Sequence, residues 1–196
     1  MSKILLLLTT ILYFNAASIA APWTPEELVK ANTAKDITYL SKIEKEAIMY
    51  VNLARLYPKK FVTNELTNYG GPAKYGGYVK NSPYKKTLIT KLNGMAPLKA
   101  FKFDKLLYDD AKCFSAEQGA SGKEGHERKI CKAGIYAENC SYGMPTGKDV
   151  AMQWLIDHNV KSLGHRNTCL STKYTKIGIS EHSHKVWETC SIGEFI

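Results

Sequence analysis

A carboxylate on what reads as the buried face of a helix is the feature that most constrains this chain. Thr146 has the character of an N-cap, and Val150, Trp154 and Asp157 follow at i, i+4 and i+7. That spacing puts all three on one helix face. A carboxylate buried beside a tryptophan costs free energy unless it is paired, so the fold must bring Asp157 a partner. The nearby polar residues of the right chemistry are His126, Glu138 and His165, in Gly125-His126-Glu127-Arg128, Ala137-Glu138-Asn139 and Gly164-His165-Arg166. Two imidazoles and two carboxylates brought together could bind a divalent cation or share protons. Taken singly, His126 and His165 read first as surface or hydrogen-bonded structural histidines. Glu138, in an otherwise apolar extended run, needs defined partners.

The 196 residues suit one domain and are too few for two comfortable ones. A charged fraction of 23% and a hydrophobic fraction of 44% exclude a disordered chain. Lys3, the apolar run Ile4 to Phe14 and the small residues of Ser18-Ile19-Ala20 read as a secretory signal peptide over 1–20, cut after Ala20. The run is shorter than the roughly 20 residues that span a bilayer, and no second long apolar run follows. The expected destination is therefore extracellular or periplasmic, with no transmembrane span after cleavage. In an oxidising compartment the five cysteines allow two disulfides and one thiol. Short brackets favour Cys169–Cys190 and Cys131–Cys140, with a fully reduced set as the alternative. The net charge of +9 favours an anionic surface such as a cell envelope, acidic glycans or lipid headgroups. Nucleic acid is not expected, because the lysines are scattered and no aromatic-basic motif accompanies them.

Thr24-Pro25-Glu26-Glu27 opens a short helix, with proline at its first position and acids toward the dipole. Ser41 to Glu44 is a capping-box pattern, and Ile43, Ala47, Tyr50, Val51 and Leu53 form the stripe of a helix that Pro58 should stop. From Lys59 to Ser82 the periodicity dissolves among glycines, lysines and Tyr69, Tyr75 and Tyr78. These tyrosines read as a glycan- or envelope-contacting loop, or simply as aromatic anchors of a surface loop. A helix follows from Ser82-Pro83 to Gly94, and Asp104 caps another that ends between Gly119 and Gly122. Ile135 to Tyr142 reads as extended. Thr175 to Ile179 and Val186 to Cys190 alternate as a hairpin with Glu181 to His184 between them. His182 and His184 could pair on a metal there, or belong to a solvated hairpin tip.

The order of these segments resembles the CAP superfamily, the SCP/TAPS domain, in its bacterial secreted form. The resemblance rests on Val51-Asn52-Leu53-Ala54-Arg55, Ala96-Pro97-Leu98, the helix from Leu106 to Ser115, and the His126 loop. It continues through Glu138-Asn139 to Gly143, Trp154 with Asp157, Gly164-His165-Arg166 and Ile177-Gly178-Ile179. It implies an α+β fold, a three-layer α-β-α sandwich with a central cleft, over 41–196. Residues 21–40 are then an N-terminal segment, and about 59–93 an insertion without family counterpart. Carried onto this chain, the family's cleft tetrad is His126, Glu138, Asp157 and His165. Its two histidines, His126 and His165, would be the metal ligands, for a divalent cation such as zinc. Asp157 stands where the family more often has glutamate or serine. The implied role is binding of a lipid, small ligand or envelope component. The alternative is a metal-dependent hydrolase acting on peptides, although no serine lies in a recognisable nucleophile motif and catalytic residues stay unknown.

Overall fold

The computed structural model describes residues 21–196. The signal-peptide reading of 1–20 lies outside the described residues. The fold is mixed, with seven α-helices and one four-stranded sheet among the described residues. In chain order these are α1 (Pro25–Ala31), α2 (Lys42–Leu56), α3 (Pro58–Phe61), α4 (Pro83–Gly94), β1 (Lys102–Phe103), α5 (Lys105–Ser121), β2 (Ala137–Tyr142), α6 (Gly147–Ile156), α7 (Gly164–Cys169), β3 (Lys176–His184) and β4 (Glu188–Phe195).

Helix starts follow local chemistry. Thr24 and Ser41 each make a full capping box, with Glu27 and Glu44 returning to the cap N–H. Asp104 accepts from the N–H groups of Leu106 and Leu107, and Thr146 from that of Asp149. Pro58 ends α2 but also occupies the first position of α3, where a missing N–H costs nothing. The chain then runs through a π-turn, Val62–Leu66, and a 3-10 turn, Ala73–Tyr75. The stretch that looked patternless therefore buries Phe61, Val62, Leu66 and Val79.

The sheet order is β1-β3-β4-β2, with β1 parallel to β3 and the other pairs antiparallel. Helix α5 lies on one face, over Cys140 and Ile192, packing Ala111 and Phe114. It comes so close that a Cβ at Gly178 would stand 2.1 Å from the Tyr108 nitrogen. Ile177, Ile179 and Phe195 belong to the larger core, with Val51, Phe101, Trp154 and Leu155. Strand β2 is an open edge, and its alternation divides the chemistry. Glu138, Cys140 and Tyr142 share one face, Asn139 and Ser141 the other.

Three expectations change here. The hairpin strands are longer than the alternation suggested: Glu181 to His184 lie inside β3, and the turn is Lys185 to Trp187. Strand β2 begins at Ala137, because Ile135 is turned out to solvent, 95% exposed. The disulfide is Cys113–Cys131, while Cys140, Cys169 and Cys190 are buried free thiols. Short brackets misled because direction, not spacing, decides the pairing. Cys140 points under α5, Cys169 meets Asn139 in the core, and Cys190 faces the Ser115 carbonyl. Cys113 instead looks outward from α5, where the following loop folds back to it.

This disulfide closes a loop of 18 residues that carries His126 and Arg128. Replacing both cysteines with serine is expected to lower stability by about 3 kcal/mol, the loop-closure cost restored to the unfolded chain. Urea unfolding of the double variant tests this; an unchanged midpoint would contradict it.

Candidate functional site

The loop after α5 is shaped by local signals. Gly122 ends the helix in the left-handed conformation and Gly125 has φ of 93°. Glu117 then gathers the N–H groups of Lys129, Ile130 and Cys131 at 2.6–3.1 Å. Those bonds, the one from Cys131 foremost, hold its carboxyl below the usual range. With the disulfide, they aim His126 at the β2 edge. There the His126 Nδ1 lies 2.6 Å from Glu138 Oε1. That hydrogen bond raises the imidazole pKa, with burial partly opposing it.

Cys140, two residues along the same strand face, completes a group. Its Sγ is 3.7 Å from both the His126 Nδ1 and the Glu138 Oε1. The three candidate ligand atoms lie within 4.8 Å of one another, and the group could hold a metal ion. Nitrogen, oxygen and sulfur donors together suit a borderline-soft transition metal rather than calcium or magnesium. The Cys140 thiol is pushed far up by burial and by Glu138, so any metal there must displace its proton.

Behind Glu138 stands a buried charge cluster that sequence reading missed. The Arg128 side chain, 7% exposed, bridges Glu138, Glu194 at 2.5 Å and Asp110 at 2.9 Å, and stacks 4.3 Å from the Phe114 ring centre. Three carboxyl groups share one guanidinium. Glu194, opposite Glu138 in the β2–β4 register, is 1% exposed. Burial, with the neighbouring Glu138, drives its carboxyl far above the usual range, so it keeps its proton at neutral pH. Burial also raises Glu138, but bonds from His126, Glu194 and Arg128 outweigh it and leave that carboxyl ionised. One signal was available: Glu194 alternates with the apolar Ile192 near the chain's end, and would have demanded a partner once β4 was extended to Phe195.

The other half of the tetrad approaches from the opposite face of β2. Helix α6 ends at Ile156, and Asp157 is its C-cap in the left-handed conformation, φ 55°. It therefore does not continue the helical stripe, although it is buried to 1% exposure as the spacing implied. Aspartate adopts this conformation more readily than most residues. The turn directs its carboxylate to the His165 Nδ1 at 2.8 Å and the Arg166 N–H at 3.2 Å. The tetrad is thus two carboxylate–histidine pairs. Both His126 and His165 line one cavity of about 360 Å³, with Asp157 and Cys140; Glu138 lies behind His126. His165 stands outside the group of three close ligand atoms, and Cys140 takes that place.

The remaining cavity wall is mainly Tyr69, Tyr78, Val79, Met152, Ile156 and Val160. Tyr69 and Tyr78 come from the stretch without regular periodicity, so that segment forms part of the cavity. Tyr69 is fixed by its hydroxyl donating to Asp149 at 2.8 Å. The pair His182 and His184 is not a metal site. His182 is exposed, while the buried His184 spends Nδ1 on the Val186 and Trp187 N–H groups and Nε2 on the Lys123 carbonyl.

No family model matches this chain, and no curated protein matches it in sequence.

Proposed function

We propose that this chain is a secreted CAP-type domain, with its sheet between helical layers, whose cleft binds a lipid or other small apolar ligand. The observation that carries the reading is the cavity at the β2 edge, where an apolar wall surrounds a few convergent polar groups. Its size, about 360 Å³, falls within the range of small-ligand sites. The order of segments around His126, Glu138, Asp157 and His165 supports the family assignment, and the apolar leader with the Cys113–Cys131 bridge supports export. The basic net charge supports approach to an anionic envelope surface.

A fluorescent polyene fatty acid is the probe for this reading. It should bind saturably, and Ile156→Trp, which fills the cavity, should abolish binding while His126→Ala should not. Failure of the folded protein to bind the probe, or equal binding by the filled variant, would sink the proposal.

The His126–Glu138–Cys140 group favours a second reading, a metal-dependent hydrolase. Zinc held there with an open position would polarise a carbonyl or lower the pKa of a bound water. Arg128 would orient Glu138 from behind, as outer partners of metal ligands do. Calorimetry with zinc should find about one ion per chain. His126→Ala and Cys140→Ala should each weaken binding roughly a hundredfold or more, because a site's ~10–16 kcal/mol is shared among few ligands. His165→Ala should leave it nearly unchanged. Loss on His165→Ala, with Cys140→Ala silent, would return the ligand role to the two histidines.

A further inference from the structure

Adjoining the cavity, and sharing Tyr78, Glu124, Tyr142 and Gln153 with it, lies a second groove of about 410 Å³ between the Tyr75–Tyr78 segment and the β3–β4 turn. Three large rings stand open at it: Tyr75, Tyr78 and Trp187 are 38%, 41% and 38% exposed. Exposed aromatics normally need no explanation when scattered, but these converge on one concavity. The backbone makes room for them. A side chain at Gly71, φ 106°, would strike the Tyr78 ring at 2.7 Å, and one at Gly143, φ 71°, would strike the Tyr75 hydroxyl at 2.3 Å. Both positions sit where only glycine is comfortable, so both rings are seated.

Two polar groups face the same space. Glu124 accepts the Trp187 indole N–H through Oε1 at 2.6 Å, which fixes carboxylate and ring together and leaves Oε2 as an acceptor. Gln153 has its oxygen engaged by Ser141 and by the Tyr142 N–H, so the amide orientation is set. Its Nε2 donates to nothing among the described residues. The groove therefore offers aromatic faces, one fixed acceptor and one fixed donor.

We infer that this groove is a binding site for a neutral saccharide. A pyranose has patches of axial C–H for aromatic faces and equatorial hydroxyls that both donate and accept. The Glu124 carboxylate repels an anionic sugar. The Tyr75 face that a quaternary ammonium would seek already has the Lys74 ammonium 4.9 Å from its centre, held there by Glu188 at 2.9 Å.

The test uses the mature chain and three neutral probes: N-acetylchitotetraose, cellotetraose and mannotetraose. Of the three tryptophans, Trp154 is fully buried and Trp23 is packed on Tyr57, so Trp187 is the exposed fluorescent reporter. At least one tetrasaccharide should change the emission saturably. Tyr75→Ala and Glu124→Ala, and Trp187→Ala followed by calorimetry, should each weaken binding roughly tenfold or more, as loss of an anchoring contact does. Ile156 lines the cavity and not the groove, so Ile156→Trp should still bind the sugar while losing the fatty-acid probe. Failure of all three sugars, binding indifferent to both Tyr75→Ala and Trp187→Ala, or the same signal from tetramethylammonium would each overturn the assignment.

Discussion

Arg166→Met is expected to lower the unfolding free energy by roughly 3–5 kcal/mol, the range for breaking a buried charged network. Arg166 is 2% exposed. Its guanidinium donates to the carbonyls of Leu155 and Ile156 at 2.8 and 2.7 Å, to the Tyr84 carbonyl at 2.8 Å and to the Thr87 hydroxyl at 3.0 Å. The first two are orphaned carbonyls at the end of α6, which no later turn can satisfy. The other two belong to α4. One side chain therefore closes a helix end and ties it to a second helix. Methionine fills similar volume but donates nothing, so two buried carbonyls lose their partner and the half-buried Tyr84 carbonyl keeps only the Thr87 hydroxyl and its own helix. Arg166→Lys should recover little, since one ammonium cannot reach acceptors spread around a planar fork. Urea unfolding measures the difference, and a loss under about 1 kcal/mol would show that water replaces the guanidinium readily.

The same residue shows why part of the fold was legible in the sequence and part was not. Caps are local: Thr24, Ser41, Asp104 and Thr146 each act within three residues, and each was readable. That Asp157 and Glu138 needed partners was also readable, because burial of a carboxylate makes a demand wherever it occurs. The identity of the partners was not. Glu138 meets His126 and Arg128 of the disulfide-held loop and Glu194 of β4, and only the β2–β4 register places Glu194 opposite it. No local pattern encodes register. Asp157 misled because i+7 spacing continues one step past the true helix end, where no glycine marks the left-handed turn. Pro58 stops α2 as expected, but proline also suits a first helical position, and α3 begins on it. The cysteines misled because Cys113 and Cys131 meet through a chain reversal that their separation does not announce.

Arg128→Met tests the charge cluster, and its effect should depend on pH. The wild-type cluster holds Asp110, Glu138 and Glu194 around one guanidinium, with Glu194 protonated. In the unfolded chain Glu194 ionises near its ordinary pKa of 4.5. Above that pH the folded state therefore binds more protons than the unfolded state, and stability falls as pH rises, by up to ~1.4 kcal/mol per unit for one proton. His126, whose folded pKa is also raised, adds a loss of the same sign as pH rises through that value. Removing Arg128 leaves the carboxyl groups with no neutralising charge. The variant should lose roughly 3–5 kcal/mol at pH 8, the cost of uncompensated buried charge. The deficit should shrink toward pH 5, where the folded cluster takes up protons. Glu194→Gln in the wild-type background provides the control. It keeps a neutral group of the same shape at every pH, so its stability should exceed wild type at pH 8 and vary less between pH 5 and 8. Unfolding free energies at those two pH values decide the matter. A Glu194→Gln slope equal to that of wild type would mean that Glu194 is ionised in the folded protein, and that Arg128 balances Glu194 as well as Glu138.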